Sequence, residues 1–438
     1  MSIFRPILKK KEKVLEKRLR LFEATMAGVG FILGAGIYVL IGAVAKTAGS
    51  ALWLSFLFAG FAALFSGFSY AELSSLFPVI ESEYVYVTEG MNKFFGFFAY
   101  ISVILALTIG LSAVSLGFAG YFSQLFNIGN VILIAFCTIF FFAFVNWFSI
   151  KYASKFVFVS TILSILGLLT IVALAFFGNS NPTNYFIMPE GLLGVIKGAS
   201  LILFAYLGFE GVAKIADETK NARKNIPLAI ILSIVISMVI YILVAIAAIN
   251  VLPWQTLATS KAPLADVAAA VLGNKAFVFL AIIALFSTAS TILMGLLSGS
   301  RGFYGIGLIF PKFKWISKVG NRNTPARAIF LTSIIAVPFL FFKDISMIVG
   351  FTNFLIFSTF IFVNLSAIKL RYRKPHLKRK FRMPLNINNF PLLSLFGIIV
   401  SIFLIFNLDL IHIIGGAFIA LLIYLLYKKI NKKGLDAL

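Results

Sequence analysis

Apolar stretches about as long as a membrane is thick recur along the whole chain, and they limit its possible folds more than any other feature. A helix needs about 20 apolar residues to cross roughly 30 Å of hydrocarbon, and these runs lack the two-residue alternation of a membrane β-barrel. We therefore predict an all-α polytopic membrane protein. Its transmembrane helices are expected at residues 22–45, 51–77, 94–124, 129–149, 156–178, 193–213, 227–250, 276–300, 326–342, 346–367, 390–408 and 410–427.

Composition argues against several other classes of protein. Hydrophobic residues make up 61% of the 438 positions and charged residues 12%, whereas soluble domains are about half apolar and a quarter charged. The single cysteine, Cys137, and the two histidines, His376 and His412, cannot form a disulfide framework or a metal cluster. The sparse acids offer no nucleophile, base or metal constellation. We therefore expect no metal, no cofactor and no enzymatic activity.

The placement of the basic residues predicts the orientation. The formal net charge is +23, with 38 Lys and Arg against 15 Asp and Glu. If the N-terminus is cytoplasmic, all the basic residues lie in cytoplasmic tails and loops except Lys46, Lys197, Lys261, Lys275 and Lys343. The positive-inside rule then places both termini in the cytoplasm of a cell membrane protein. Basic residues that flank apolar spans argue against nucleic acid binding and favour contact with anionic membrane lipids.

The first predicted span contains four glycines within nine residues, Gly28, Gly30, Gly34 and Gly36. Each destabilises a helix interior by up to about 1 kcal/mol relative to alanine. One interpretation is close helix packing through small residues. The other is an unwound midpoint, where free amides of the second half-helix bind an anion such as a carboxylate.

The sixth predicted span also contains glycines near its middle, Gly208 and Gly211, beside the ionisable Glu210. A carboxylate inside a span is a functional candidate, for example in a proton-linked role. The alternative is that Glu210 caps a half-helix and pairs with a nearby hydroxyl or lysine. The glycine-interrupted spans are the first and the sixth, so they are five spans apart. We therefore expect the first ten of the twelve spans to form two inverted repeats of five spans each.

Four segments resemble motifs of the amino acid-polyamine-organocation superfamily, most closely its cationic amino acid transporter-like branch and the prokaryotic relatives of that branch. They are residues 34–37 (Gly-Ala-Gly-Ile), 70–73 (Tyr-Ala-Glu-Leu), 82–86 (Ser-Glu-Tyr-Val-Tyr) and 204–210 with the exit loop at 217–227. The resemblance implies a LeuT-like core with broken first and sixth helices. It divides the chain into a basic cytoplasmic N-tail at 1–21, inverted repeats at 22–178 and 193–367, a basic cytoplasmic loop at 368–389, peripheral spans at 390–427 and a cytoplasmic C-tail at 428–438.

The same resemblance implies a secondary active transporter, or permease, that moves amino acids by alternating access. The substrate carboxylate would bind the free amides of Ala35 and Gly36. Its amino group would meet unpaired carbonyls at Ile32, Phe204 and Leu207, and the Phe204 ring would close over the substrate. The implied substrate site comprises Ile32, Gly34, Ala35, Gly36, Phe204, Ala205, Tyr206, Leu207 and Gly208.

Side-chain selectivity would come from the third, sixth, eighth and tenth spans, which offer no acid in that part of the site. A lysine or arginine substrate would leave its charge poorly paired, at a cost of several kcal/mol, so we expect neutral amino acids to be preferred. The alternatives are a cationic amino acid, a polyamine or another organocation as cargo, and a non-transporting amino acid sensor. The polar side chains available are Ser102, Tyr206, Ser287, Thr352 and Asn353.

The ion that drives transport is a separate question. By resemblance, Ser164 occupies the fifth-span position where proton-coupled relatives have a lysine, and no Lys or Arg lies between residues 156 and 177. Lysine-based proton coupling is therefore not expected, which leaves a sodium site, a proton route through Glu210, or uncoupled exchange. Serines in a span commonly hydrogen-bond back to their own helix instead of binding an ion. By the same resemblance, the oxygens offered to sodium would be the carbonyls of Gly30 and Leu33 and the hydroxyls of Ser287 and Ser290.

Overall fold

A computed structural model describes residues 19–79, 81–148, 150–177, 184–320 and 324–431 of the chain. The predicted tails at 1–21 and 428–438 therefore fall mostly outside the described residues. The helices are α1 (Leu21–Ile32), α2 (Ala35–Ala48), α3 (Leu52–Leu76), α4 (Ser82–Gly90), α5 (Lys93–Phe126), α6 (Val131–Phe148), α7 (Ile150–Phe177), α8 (Gly191–Tyr206), α9 (Phe209–Lys214), α10 (Ala222–Val251), α11 (Trp254–Thr259), α12 (Pro263–Leu272), α13 (Asn274–Ile309), α14 (Ala326–Ala336, continued by a 3-10 segment at Val337–Phe342), α15 (Ile345–Arg373), α16 (Leu392–Phe406) and α17 (Leu410–Asn431). A hairpin of β1 (Asn386–Ile387) and β2 (Phe390–Pro391) lies between α15 and α16.

All twelve predicted spans coincide with helices, which confirms the all-α polytopic fold. In the described part of the chain, nine helical segments are long and apolar enough to cross a membrane by length and composition, and the first of them, Ala35–Leu76, joins α2 and α3. Shorter apolar helices account for the rest: α1, α14 with its extension, and α16. The division of these spans into two inverted repeats stays a prediction.

Both ends of the described chain lie on one side of the helix bundle, as twelve crossings require. Leu19 forms backbone hydrogen bonds with Glu218 and Lys220, in the connection between α9 and α10. Near the other end, the Tyr427 ring of α17 packs on the Phe94 ring at the start of α5. We call this side of the bundle the terminal side.

The sequence did not predict the short elements between the spans. Helix α4 follows α3 on the terminal side, and α11 and α12 lie between α10 and α13 on the opposite side. Helix α12 has Pro263 in its first turn, where the missing proline amide is not needed. Helices of six to ten residues contain too few turns for periodicity to distinguish them from loops.

A buried ion pair, the Glu72–Arg371 clamp, ties α3 to α15 on the terminal side. Arg371 Nε donates to the Glu72 carboxylate at 2.8 Å, and a second Arg371 nitrogen donates to the other carboxylate oxygen. Arg379 Nε and the Met383 amide also donate to Glu72, at 3.2 and 3.0 Å. Both partners of the clamp are almost completely buried. Several charge-assisted hydrogen bonds therefore offset the cost of removing this carboxylate from water.

Breaking the clamp should destabilise the protein far more than opening an exposed ion pair. We expect Glu72→Gln to lower the free energy of unfolding by about 3 kcal/mol or more, because the Arg371 charge would stay buried without its partner. The control is Glu190→Gln, which opens the exposed Lys197–Glu190 pair and should cost about 1 kcal/mol or less. Thermal unfolding of the detergent-purified variants measures both effects, and equal shifts would contradict this prediction.

Candidate functional site

The first and sixth predicted spans are both interrupted near their middle. Helices α1 and α2 are separated by Leu33 and Gly34, and α8 and α9 are separated by Leu207 and Gly208. Gly208 has a φ of +122°, a conformation that other residues rarely adopt. The glycines thus accompany unwound segments, as one of the two interpretations of the first span predicted.

The two breaks face each other at a separation that only glycine allows. A side-chain carbon added at Gly36 would lie 2.4 Å from Ala205 Cα, and one added at Gly208 would lie 2.5 Å from the carbonyl oxygen of Phe31. Both distances are shorter than any normal contact between such atoms. The backbone at one break therefore touches the backbone at the other, so close packing and unwinding occur together.

The hydroxyl of Tyr241, on α10, bridges the two breaks. Its oxygen lies 2.6 Å from the carbonyl oxygen of Ile32 and 3.0 Å from that of Ala205. The Ile32 carbonyl also accepts a hydrogen bond from the Gly34 amide at 2.7 Å. This corrects the expectation that the Ile32 carbonyl is unpaired, because both of its lone pairs face donors.

A second hydroxyl, from α13, caps the start of α2. The Ala35 amide donates to Thr291 Oγ1 at 3.0 Å, and the Thr291 hydroxyl donates to the Ser287 carbonyl at 3.0 Å. The Ala35 amide is therefore not free, contrary to expectation. The Gly36 amide comes next, and because helical hydrogen bonding is interrupted before α2, this first-turn amide lacks a carbonyl partner in a preceding turn.

Phe204 lies in the last turn of α8, with its side chain half-buried beside the breaks. Its ring reaches α5 at Gly110, where an added carbon would lie 2.7 Å from ring atom Cε2 and 3.6 Å from the Thr352 methyl group on α15. The Phe204 carbonyl accepts a hydrogen bond from the Leu207 amide at 3.2 Å. Among the described residues, no hydrogen bond reaches the Leu207 carbonyl, so it can accept one from a ligand.

Two of the predicted selectivity side chains lie away from the Phe204 ring. The Tyr206 hydroxyl donates to the Phe56 carbonyl at 2.8 Å, so this side chain fastens α8 to α3. Ser102 precedes Gly110 by eight residues, which is about 12 Å along a helix. The structure therefore does not bring Ser102 to the level of the breaks.

Two predicted residues of α15 do lie near α8. Asn353 Nδ2 donates to the Ser200 carbonyl at 2.6 Å and to the Leu201 carbonyl at 3.0 Å, about one turn before Phe204. The neighbouring Thr352 hydroxyl donates to its own helix. Asn353 thus positions α8, while Thr352 lines the space beside the Phe204 ring.

Glu210 lies in the first turn of α9, almost completely buried. Its Oε2 accepts a hydrogen bond from the Gly208 amide at 2.9 Å, so it satisfies a backbone donor that the break leaves exposed. One turn later, Lys214 Nζ lies 3.5 Å from the buried Glu83 carboxylate on α4. A chain of charged groups therefore runs from the second break toward the terminal side.

The structure disperses the coupling candidates of the first and fifth spans. Gly30 packs against Thr161 of α7, where an added carbon would lie 2.7 Å from the Thr161 methyl group. Ser164 Oγ donates to the Ser160 carbonyl at 2.7 Å, and the Ser164 carbonyl accepts from the Tyr38 hydroxyl at 3.0 Å. The fifth-span residue beside Gly30 is thus Thr161, one turn before Ser164.

The two candidate hydroxyls of the eighth span differ in their hydrogen bonding. Ser290 Oγ donates to the Ser287 carbonyl at 2.8 Å, the common arrangement for serine in a span. Ser287 Oγ is buried and has no hydrogen-bond partner among the described residues. Leu33, the other predicted carbonyl ligand from the first span, is buried at the first break. Ser287 is therefore the one eighth-span candidate of the two whose hydroxyl remains available.

Three residues at the breaks were missed from the sequence: Tyr241, Thr291 and Gly110. Each had a weak signal, because Tyr241 and Thr291 are polar within long apolar runs and Gly110 interrupts the middle of the third predicted span. None of these signals indicates which residue at the breaks each one contacts. Only the packing of α10, α13 and α5 against the breaks assigns them a role.

Comparison with known proteins adds independent evidence. The sequence profile of the amino acid permease family matches residues 19–426. The chain belongs to this family. The resemblance to the amino acid-polyamine-organocation superfamily is thereby confirmed, and the chain is a multi-pass membrane protein of a transporter family.

Three relatives illustrate the range of the family. The chain is 29% identical to the branched-chain amino acid permease BcaP of Bacillus subtilis, over 96% of this chain and 95% of that protein. It is 29% identical to the methylthioribose transporter of the same organism, over 85% of each. It is 27% identical to cationic amino acid transporter 1 of Arabidopsis thaliana, over 82% of this chain and 63% of the relative.

The bridging hydroxyl of Tyr241 can be tested against a matched tyrosine. We expect Tyr241→Phe to weaken amino acid binding about tenfold, because the Ile32 and Ala205 carbonyls lose the donor that holds them together. Tyr206→Phe is the control, since its hydroxyl bonds away from the breaks and its loss should leave affinity unchanged. Isothermal titration calorimetry with the best-bound of the twenty amino acids gives the measurement. Equal affinities in the two variants would contradict the bridging role.

Proposed function

We propose that this permease is a secondary active transporter that prefers neutral amino acids. The observation that carries the proposal is that the three buried acids in the described part of the chain, one at the second break and two on the terminal side, already have partners. Glu210 accepts from the Gly208 amide, Glu72 belongs to the clamp with Arg371, and Glu83 faces a lysine. A substrate with a cationic side chain would find no free carboxylate beside the breaks, whereas a neutral side chain needs none.

The backbone at the breaks supplies groups for the two charged ends of an amino acid. The Gly36 amide lies at the positive end of the α2 dipole, which favours a carboxylate. The Leu207 carbonyl and the second lone pair of the Phe204 carbonyl accept the ammonium. Tyr241 and Thr291 hold the neighbouring backbone groups in place, so that little rearrangement is needed when the substrate binds.

The substrate side chain would lie against Phe204, Gly110 and Thr352. This surface is largely apolar, with one hydroxyl that already bonds to its own helix. Such a surface suits the branched-chain amino acids named for one relative better than the cationic amino acids named for others. An aliphatic amino acid is therefore the preferred substrate.

Alternating access would use the breaks as hinges. A helix interruption removes backbone hydrogen bonds, so the segments on either side can tilt separately. Helices α1 and α9 would move on the terminal side, and α2 and α8 on the opposite side. The excess of Lys and Arg on the terminal side supports the assignment of this side to the cytoplasm of a cell membrane protein.

A binding screen of the twenty amino acids tests the proposed specificity. We expect lysine and arginine to bind about 100-fold more weakly than leucine or valine, because their side-chain charge would be desolvated without a partner. Thr352→Asp should recover lysine binding, and the near-isosteric neutral variant Thr352→Asn should not. Equal binding of lysine and leucine by the wild type would contradict the proposal. Uptake of putrescine in preference to amino acids would favour a polyamine carrier, and binding without uptake would favour a sensor.

Flux measurements in proteoliposomes test how transport is driven. Because no basic residue lies between positions 156 and 177, we expect Lys155→Ala to respond to imposed proton and sodium gradients as the wild type does. Glu210→Gln keeps an acceptor for the Gly208 amide but cannot titrate. Loss of proton-driven uptake in this variant would therefore favour a proton route through Glu210. Sodium-driven uptake that is lost in Ser287→Ala would favour the sodium site. Proton-driven uptake lost only in Lys155→Ala would contradict the assignment of Ser164.

A further inference from the structure

The connection between α15 and α16 exposes apolar side chains next to unpaired basic ones. At the hairpin, β1 and β2 pair antiparallel, with Ile387 opposite Phe390. Leu385 and Ile387 are each 61% exposed. Arg373, the last residue of α15, and Lys378 and Lys380 of the connection are exposed basic residues. We call these five residues, Leu385, Ile387, Arg373, Lys378 and Lys380, the hairpin patch.

The hairpin is held rigidly, so the exposure of its apolar side chains does not come from a loose loop. Arg371 of the clamp donates to Asn386 Oδ1 and to the Asn389 carbonyl, and Asn389 Nδ2 donates back to the Arg371 carbonyl at 3.0 Å. The Leu392 amide donates to the Leu385 carbonyl at 3.1 Å. The patch is thus fixed to the buried ion pair between α3 and α15.

Leu385 has a backbone conformation that is costly for its residue type. Its φ is +56°, in the left-handed region where glycine or asparagine is preferred over a bulky residue. The Leu385 side chain is mostly exposed, so burial of its apolar surface within the described part of the chain does little to offset this strain. Burial of Leu385 in an external apolar medium would offset both costs.

The charge of this connection also lacks internal compensation. Residues 369–391 include eight Lys and Arg and no Asp or Glu. Arg371 and Arg379 bind Glu72, and Lys374 binds Glu89. The remaining basic residues have no carboxylate partner among the described residues: Lys369, Arg373, Lys378, Lys380 and Arg382.

The position of the hairpin determines which partner can meet both kinds of side chain. Helix α15 ends at Arg373 and α16 begins at Leu392; because both are spans, the connection between them emerges from the membrane on the terminal side. Basic clusters at the end of a span attract anionic headgroups, and apolar side chains beside them enter the acyl boundary. A soluble anion would satisfy the charges and leave Leu385 and Ile387 in water.

We propose that the hairpin patch binds an anionic phospholipid of the leaflet on the terminal side. Arg373, Lys378 and Lys380 contact the phosphate-bearing headgroup, and Leu385 and Ile387 lie against its acyl chains. Because Arg371 joins the hairpin to α3 and α15, lipid binding stabilises the clamp on the terminal side. The proposal is independent of the transported substrate.

Lipid binding by matched charge variants tests the proposal. Purified protein is titrated with phosphatidylglycerol or phosphatidylcholine in mixed micelles and bound lipid is counted by native mass spectrometry, with inorganic phosphate in a parallel thermal-shift series. The test variant is Arg373→Gln, Lys378→Gln and Lys380→Gln together. The control removes the same charge from another exposed loop on the terminal side: Lys312→Gln, Lys314→Gln and Lys318→Gln together.

We expect the wild type to prefer phosphatidylglycerol, and the hairpin variant to bind it about 10- to 100-fold more weakly, since each basic residue near the surface contributes severalfold. The control variant should keep the wild-type affinity. An equal loss in both variants, no preference over phosphatidylcholine, or the same stabilisation by inorganic phosphate would each overturn the proposal.

A depth measurement tests the apolar half of the patch independently of charge. Ile387→Cys is made in a Cys137→Ser background, because Cys137 is the only native cysteine, and is labelled with a polarity-sensitive fluorophore. In vesicles containing phosphatidylglycerol, we expect lipids with a nitroxide in the acyl chain to quench the label more strongly than aqueous iodide does. Stronger quenching by iodide would place Ile387 in water and overturn the proposal.

Discussion

A backbone amide or carbonyl left without a partner in hydrocarbon costs several kcal/mol, and the arrangement at the centre of this protein follows from that constraint. Two helices are interrupted inside the bundle, so amides and carbonyls are released where water is scarce. Side chains of neighbouring helices, and Glu210 of α9 itself, pair with several of them. Tyr241 shares its single hydroxyl proton between a carbonyl of each break, Thr291 accepts from the first amide of α2, and Glu210 accepts from the amide of Gly208.

Among the described residues, the Leu207 carbonyl is left without a hydrogen-bond partner at the second break. Gly36 and Gly208 let the breaks touch through their backbones, so this carbonyl and the first-turn amide of Gly36 belong to segments in contact. That spacing suits a small zwitterion, whose two charges need opposite partners a short distance apart. A site formed from backbone groups requires mainly small residues at the breaks. In the proposed function, selectivity then depends on the side chains around Phe204.

The same constraint operates differently on the terminal side. There the clamp buries a carboxylate and a guanidinium together, whereas the connection that contains the hairpin exposes basic and apolar groups. Burial demands that every charge be paired, whereas the boundary allows charges to meet headgroups and water. Within about twenty residues, the connection between α15 and α16 thus contributes donors to a buried carboxylate and also exposes basic side chains.

The sequence by itself determined the spans and the location of both breaks, because these depend on local properties: the length of apolar runs and clusters of glycine. It also identified the backbone segments that form the candidate site, but it assigned Ile32 and Ala35 as unpaired and Tyr206 as a selectivity residue. Their actual partners are remote in the chain, with Tyr241 lying 209 residues from Ile32, Thr291 lying 256 from Ala35, and Arg371 lying 299 from Glu72. No local pattern encodes such a pairing, since it depends on which faces of distant helices meet. Only the tertiary structure decided which backbone groups are satisfied within the protein and which remain for a ligand.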